Sequence, residues 1–235
     1  MIWWPGCATS WRGWADDSRR AGMTDQAGTT ARGVGERSGR REQNKAENRA
    51  ALLKAARSVF AEMGYGAAGV RDIVRRTDLA SGTFYNYFKD KAEIFEAVVR
   101  EMSVELMRRH RGGRAKARTA EEFFRSHIST YMNFVVNDPE ILAFGRNNVT
   151  PIRMLFEKPD LQVMARQLLD DVTAAIQRGV LPDVDAGYLV AALSGVVFDI
   201  SVVMVSRDPV DTAGAIEFAT RLMMGGIANL PKRSA

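Results

Sequence analysis

Apolar residues at Leu52, Leu53, Ala56, Val59, Phe60 and Met63 recur at intervals of three and four, the spacing that lines one face of an α-helix. The helix they predict begins near residue 43 and stops at Gly64 and Gly66, which flank Tyr65. Two short helical segments follow, near 70–77 and 81–88, joined by a turn at Thr77-Asp78. In the first, Val70, Ile73 and Val74 face the preceding helix. Leu79 anchors the turn, and in the second segment Phe84 and Phe88 stand four apart and face inward. A longer helix from about Lys91 to His110 places Ile94, Phe95, Val98, Met102 and Leu106 on one stripe. Further helices are predicted near 119–137, 139–148, 151–157, 160–179, 184–206 and 211–229. Their punctuation is Asp138-Pro139, Thr150-Pro151, Pro159, Gly179, Pro182 and Asp208-Pro209. No alternating strand pattern occurs, so the predicted class is all-α.

Residues 1–42 break this pattern. All four tryptophans (Trp3, Trp4, Trp11 and Trp14) fall there among Gly, Ser, Thr and Arg, without helical or strand periodicity. The segment is predicted to be a disordered basic N-terminal extension. Met23 offers an alternative start that would leave residues 1–22 untranslated. The competing reading is a DNA-contacting arm through Arg32, Arg37, Arg40 and Arg41.

Charge sharpens the division of the chain. Residues 42–118 carry 16 basic and 10 acidic groups, whereas residues 119–235 carry 10 basic and 14 acidic. Positive charge therefore collects around the pair of short helices, as on a surface that meets phosphates. Cys7 is the only cysteine, so no intrachain disulfide forms, and no secretory signal pattern is present; both fit a cytoplasmic protein. The apolar run Tyr188–Val205 contains Ser194, Gly195, Asp199 and Ser201, which favours a buried or interface helix over a membrane span.

The second short helix carries Ser81, Gly82, Thr83, Tyr85, Asn86 and Tyr87 where an ordinary surface helix carries Glu and Lys. Small, hydroxylated and aromatic polar side chains suit a helix pressed into a DNA major groove, and Gly82 leaves room for close approach. Lys89 and Lys91 add charge at the next helix N-terminus, which already favours anions. In a helix-turn-helix, phosphate contacts set the register and a few groove-facing residues read bases. A partnerless surface helix explains this face less well.

Residues 49–95 also resemble the DNA-binding domain of TetR-family transcriptional repressors. The matching residues are the helix Arg49–Tyr65, Val70-Arg71-Asp72-Ile73, the run Gly82-Thr83-Phe84-Tyr85-Asn86-Tyr87-Phe88, and Lys91 with Glu93. The resemblance implies that Thr83, Tyr85, Tyr87 and Lys91 contact the DNA backbone, that Ser81 and Asn86 reach bases, and that Arg71 lies near the groove. It further implies a three-helix DNA-binding domain over 43–90, a connecting helix and basic linker over 91–118, and an effector-binding and dimerisation domain over 119–230. Ala68, Thr77 and Ala80 depart from the family pattern. They are the residues that favour an alternative, an all-α ligand-binding or interaction protein with weakened or lost DNA binding.

A lone helix-turn-helix binds DNA weakly, so a homodimer on a pseudo-palindromic operator is expected. Ala191 and Gly195 on one predicted helix, with Ile216, Ala219 and Met223 on the last, suit a helical dimer interface. Phe123, His127, Tyr131, Phe144, Met154, Phe156 and Met164 form an aromatic and methionine-rich region. By the resemblance, that region encloses a pocket for an apolar or amphipathic effector that releases the protein from its operator. Taken residue by residue, the same stripe also reads as core. Enzymatic chemistry, metal sites and cofactors are not expected. The only histidines are His110, read as a solvated helix end, and His127; no phosphate-cradling glycine loop or nucleophile elbow occurs. The acidic pairs Asp170-Asp171 and Asp183/Asp185 read as helix surface or caps.

Overall fold

The structure, a computed structural model, describes residues 32–110, 113–156, 158 and 163–230, with the side chains of 32–39 and of 163–164 outside the description. The described residues hold helices and no strand. In order they are α1 (Arg32–Ala67), α2 (Val70–Val74), a 3₁₀ helix (Ser81–Asn86), α3 (Lys91–His110), α4 (Gly113–Lys116), α5 (Ala120–Val136), α6 (Pro139–Asn147), α7 (Val149–Leu155), α8 (Val163–Gln177), α9 (Ala186–Ser206) and α10 (Thr212–Ile227). Among the described residues, those from Gln43 onward form one compact unit, and those up to Glu42 belong to another.

Local chemistry explains most of the boundaries. Thr119 caps α5 by accepting from the Glu122 amide at 3.2 Å, and Asp138 caps α6 by accepting from Glu140 at 2.9 Å, with Pro139 in the first turn. Asp185 and Asp211 cap α9 and α10 through the Tyr188 and Gly214 amides. Gly64 ends the regular part of α1: its φ of 72° and ψ of 161° leave the helical region.

Two cores result. One gathers Leu52, Ala56, Val59 and Phe60 of α1, Ile73, Phe84, Phe88, and Ile94 and Phe95 of α3, and is closed by Phe144 of α6 and Leu155 of α7. Its centre is aromatic, with Phe60 meeting Phe95 edge-on at 5.0 Å and Phe95 stacked on Phe144 at 5.5 Å. The other core gathers Phe123, Phe124, Ile128 and Met132 of α5 with Leu168 and Val172 of α8, Leu193 and Val197 of α9, and Ala219 and Met223 of α10. The all-α class stands.

Three local expectations are revised. The described backbone is helical from Arg32, inside the segment predicted to be disordered, while residues 1–31 lie outside the description. The second short helix is a 3₁₀ helix ending at Asn86. Residues 111–118 are not a plain connector, because Gly113–Lys116 form α4 and Arg114 is buried.

Candidate nucleic-acid interface and ligand cavity

The 3₁₀ helix sorts its side chains by face. Phe84 and Phe88 are buried at 0% and 3% exposure, while Ser81, Gly82, Tyr85 and Asn86 are exposed and Thr83 is half-buried. Tyr85 turns an edge toward Phe84 yet keeps 63% of its surface. Arg71 on α2 and Arg75 at its C-cap are exposed as well, whereas Arg76 is paired with Glu62 and bonded to Ser58 Oγ at 2.9 Å. Four of the residues assigned to DNA, and Arg71, are thus exposed.

Other assigned residues are engaged within the protein. The Tyr87 hydroxyl accepts from Asn48 Nδ2 at 3.3 Å. Lys91 is turned toward the protein: its ammonium donates to the carbonyls of Tyr65 at 2.6 Å and Ala68 at 2.8 Å and lies 4.5 Å from the Tyr65 ring centroid. A cation on the last carbonyls of a helix complements its dipole. This ammonium holds the end of α1 in place, a role its position in a basic cluster did not reveal. Neither Ala80 nor Ser81 caps the 3₁₀ helix with a side chain. Thr77 does the local work, donating to the Val74 carbonyl at 2.9 Å and accepting from the Leu79 amide at 3.3 Å.

Asn147 and Asn148, at the junction of α6 and α7, make long-range hydrogen bonds that the sequence did not reveal. Asn148 is 0% exposed; its Nδ2 donates to the carbonyls of Phe60 at 2.9 Å and Phe144 at 2.8 Å, and its Oδ1 accepts from the Tyr65 amide at 2.7 Å. Asn147 Nδ2 donates to the Ala61 carbonyl at 2.6 Å, and Arg57 pairs with Glu140 at 2.5 Å. The only sequence signal was two adjacent asparagines between helices, which reads as a turn.

Next to this junction lies a cavity of about 80 Å³. Val99, Ser103 and Leu106 of α3 and Tyr131 and Phe134 of α5 form two sides; Ile141 and Phe144 of α6, with Ile152 and Phe156, form the others. Of the residues assigned to an effector pocket, Tyr131, Phe144 and Phe156 line it. Burial among these side chains pushes the Tyr131 phenol up to about 12. Phe123 instead fills the core, Met154 is 65% exposed, and the Met164 side chain lies outside the described residues.

His127 does not line the cavity but belongs to a buried cluster next to it. Its Nδ1 stands 2.7 Å from Arg114 Nη1, Arg114 Nη2 pairs with Asp171 at 2.6 Å, and the His110 ring stacks on His127 at 4.8 Å. His110 is 4% exposed, which corrects its reading as a solvated helix end. Burial, and secondarily the Arg114 charge, lowers His110 to about 3; burial also holds His127 well below its usual range. Among the described residues no group of three or more His, Cys, Asp or Glu is placed to hold a metal ion.

On α9 and α10, the residues assigned to a dimer interface divide. Ala191 and Gly195 are exposed and Ile216 is half-buried, but Ala219 and Met223 pack inside the chain's own core. The free apolar face is carried by Tyr188, Phe218 and Leu222, exposed by 80%, 62% and 49%. Tyr188, Ala192, Leu222, Gly226 and Leu230 also border a groove of about 450 Å³. α9 is long and apolar enough to cross a membrane, with mean hydropathy 2.2, yet it sets Leu193, Val197 and Met204 into the core and pairs Asp199 with Arg153.

Known proteins align with this arrangement. Residues 52–98 match the family model of the bacterial regulatory proteins, tetR family. The HTH-type transcriptional activator FasR of Mycolicibacterium smegmatis is 25% identical over 189 residues, which is 79% of this chain and 85% of that protein. Among solved structures, the fatty acid degradation regulator FadR from Bacillus halodurans superposes with a TM-score of 0.65 at 19% identity, covering 79% of this chain and 97% of that one. The transcriptional regulator FadR from Bacillus subtilis, solved in complex with stearoyl-CoA, gives a TM-score of 0.64 at 20% identity over 77% and 98%.

Proposed function

We propose that the chain is a TetR-family transcriptional regulator, a cytoplasmic repressor that holds a pseudo-palindromic operator as a homodimer until an apolar-chain effector releases it; the match of residues 52–98 to the tetR-family model and the similarity to FasR support this reading. The observation that carries the DNA reading is the exposed face Ser81, Gly82, Tyr85 and Asn86 on a helix that is locked into the core by its Phe84 and by Phe88 just beyond its end. Such a helix presents its polar face without rearrangement. Tyr85 and Arg71 reach phosphates, and Ser81 and Asn86 reach base edges. Arg71→Ala is expected to weaken binding about equally on all sequences and to reduce the salt slope by about one. Tyr85→Phe, at a residue that is 63% exposed, is expected to weaken operator binding about tenfold without moving the melting temperature. Fluorescence anisotropy against a salt series reads both, and unchanged affinity in the two variants would sink the contact map.

The dimer reading rests on the uncovered apolar face of α9 and α10. Leu222→Glu, at an exposed position of that face, is expected to yield monomers by light scattering. It is also expected to abolish operator binding at concentrations that saturate the wild type.

The effector reading rests on the cavity between α3, α5, α6 and α7, and the complex of the Bacillus subtilis FadR with stearoyl-CoA supports an acyl-chain ligand. At about 80 Å³ the cavity is well below the roughly 300–1,000 Å³ of ordinary ligand sites, so a bound chain has to push α6 and α7 outward. Asn147 and Asn148 tie that junction to the carbonyls of Phe60 and Ala61. Displacing the cavity wall therefore pulls on the helix that supports the DNA-reading element. A coupling of about 1–3 kcal/mol suffices for release. Transcription from a promoter carrying the operator, measured with and without a fatty acid, tests the sign: activation by the free protein would overturn repression.

A further inference from the structure

The two helices that wall the cavity continue past it into the buried His110, Arg114 and His127 cluster. On α3, Leu106 lines the cavity and His110 lies four residues on; on α5, Tyr131 lines it and His127 lies four residues back. Residues four apart share a helix face at a separation of one turn, about 5.4 Å along the axis. The stacked histidine rings, 4.8 Å between centroids, show that the two stripes still meet at that level.

The cluster is incompletely satisfied. Arg114 uses Nη1 on His127 and Nη2 on Asp171, but its Nε has no partner, and neither Nδ1 nor Nε2 of His110 has one. His110 and Arg114 are each only 4% exposed, so water does not readily serve them. Buried polar atoms of this kind are rare and call for a partner. We propose that His110, Arg114 and His127 are the polar end of the ligand cavity and hold the carboxylate of a fatty acid whose chain lies between α3 and α5. This rests on the effector reading above and adds the chemistry of the head group.

The available donors select a carboxylate. Arg114 Nε always donates, and His110 carries at least one N–H. Asp171 already balances the Arg114 charge, so the imidazoles face no anion of their own. A carboxylate accepts from both donors and supplies the negative charge that a protonated imidazole requires. With no such anion, burial keeps His110 neutral. An alcohol of the same chain brings one uncharged oxygen. A coenzyme A thioester brings a carbonyl without charge, and its bulky group would have to sit beside side chains that are only 4–7% exposed.

The test is titration calorimetry on the full-length protein with decanoic acid, decanol and decanoyl-CoA, paired with operator anisotropy for each. Decanoate is expected to bind about tenfold or more tightly than decanol. His110→Phe keeps a ring on His127 and removes the nitrogens; it is expected to bring decanoate down to the decanol affinity while leaving decanol within about twofold. His110→Gln, which restores a donor, is expected to recover part of the loss. Equal binding of decanoate and decanol, with both still releasing operator DNA, overturns the anchor and spares the effector reading. Decanoyl-CoA binding tightest, and indifferent to His110→Phe, also overturns the anchor. No binding by any of the three overturns both. Should His110→Phe not fold, the wild-type comparison of acid with alcohol decides alone.

Discussion

Replacing Gly64 by alanine is expected to lower the stability of the fold by about 2–5 kcal/mol. With φ at 72° and ψ at 161°, Gly64 occupies a region that is essentially reserved for glycine, where strain alone amounts to about 1–3 kcal/mol. A Cβ at this position would also stand 2.9 Å from the Asn147 carbonyl oxygen, a backbone atom that cannot rotate away. Relief requires α1 and the α6–α7 junction to separate, which strips hydrogen bonds from Asn147 and Asn148. For a domain of this size each kcal/mol moves the melting temperature by roughly 2–4 °C, so calorimetry should find a fall of about 4–20 °C. Gly66, exposed and with nothing within 4 Å of an added Cβ, is the control: Gly66→Ala should be nearly silent. A Gly64→Ala protein that melts with the wild type would show that α1 and the α6–α7 junction are not in the contact described.

Gly64 also marks how far the sequence was legible. Its role as a helix stop was readable, because glycine after a periodic apolar run has a local cause. The same holds for Phe84 and Phe88: helical spacing placed both inward, leaving Ser81, Tyr85 and Asn86 outward. Periodicity reports which face of a helix is covered, but not what covers it. Ala219 and Met223 were assigned to a dimer interface, yet they pack in the chain's own core, where α10 lies against α5, and the exposed apolar side chains of α10 are Phe218 and Leu222. Long-range polar partners are hidden in a similar way. Arg114 sits in a run of arginines and glycines that reads as a solvated linker, and only Asp171, 57 positions later, makes its burial tolerable. Lys91 was assigned to phosphate by the family resemblance and by its place at a helix N-terminus, which favours anions. The carbonyls of Tyr65 and Ala68 become its partners only once Gly64 has turned the chain.

Asn148→Ala is expected both to destabilise the protein and to uncouple the cavity from DNA binding. The side chain is 0% exposed and satisfies three backbone groups: the Phe60 carbonyl, the Phe144 carbonyl and the Tyr65 amide. Alanine leaves the Tyr65 N–H without its acceptor and opens space beside Phe144, a loss of about 2–4 kcal/mol. The functional consequence follows from where those bonds lead. Phe144 lines the cavity, whereas Phe60 and Tyr65 belong to the end of α1, and the Tyr65 carbonyl is the acceptor that positions Lys91 at the start of α3. A ligand that moves Phe144 acts on α1 through Asn148 as well as through the Phe60–Phe144 edge contact, where the rings lie 6.5 Å apart. Removing the Asn148 hydrogen bonds leaves the softer aromatic contact, the Asn147 bond to the Ala61 carbonyl and the Arg57–Glu140 pair. At a temperature where the variant is folded, ligand affinity of the free protein should therefore change little. The ligand-induced loss of operator affinity, about 5–150-fold for a typical coupling, should shrink to a few-fold. Anisotropy titrations with and without saturating fatty acid measure that ratio directly. A destabilised Asn148→Ala protein that keeps the full ligand response would place the coupling elsewhere, with the Arg57–Glu140 pair the next link to cut.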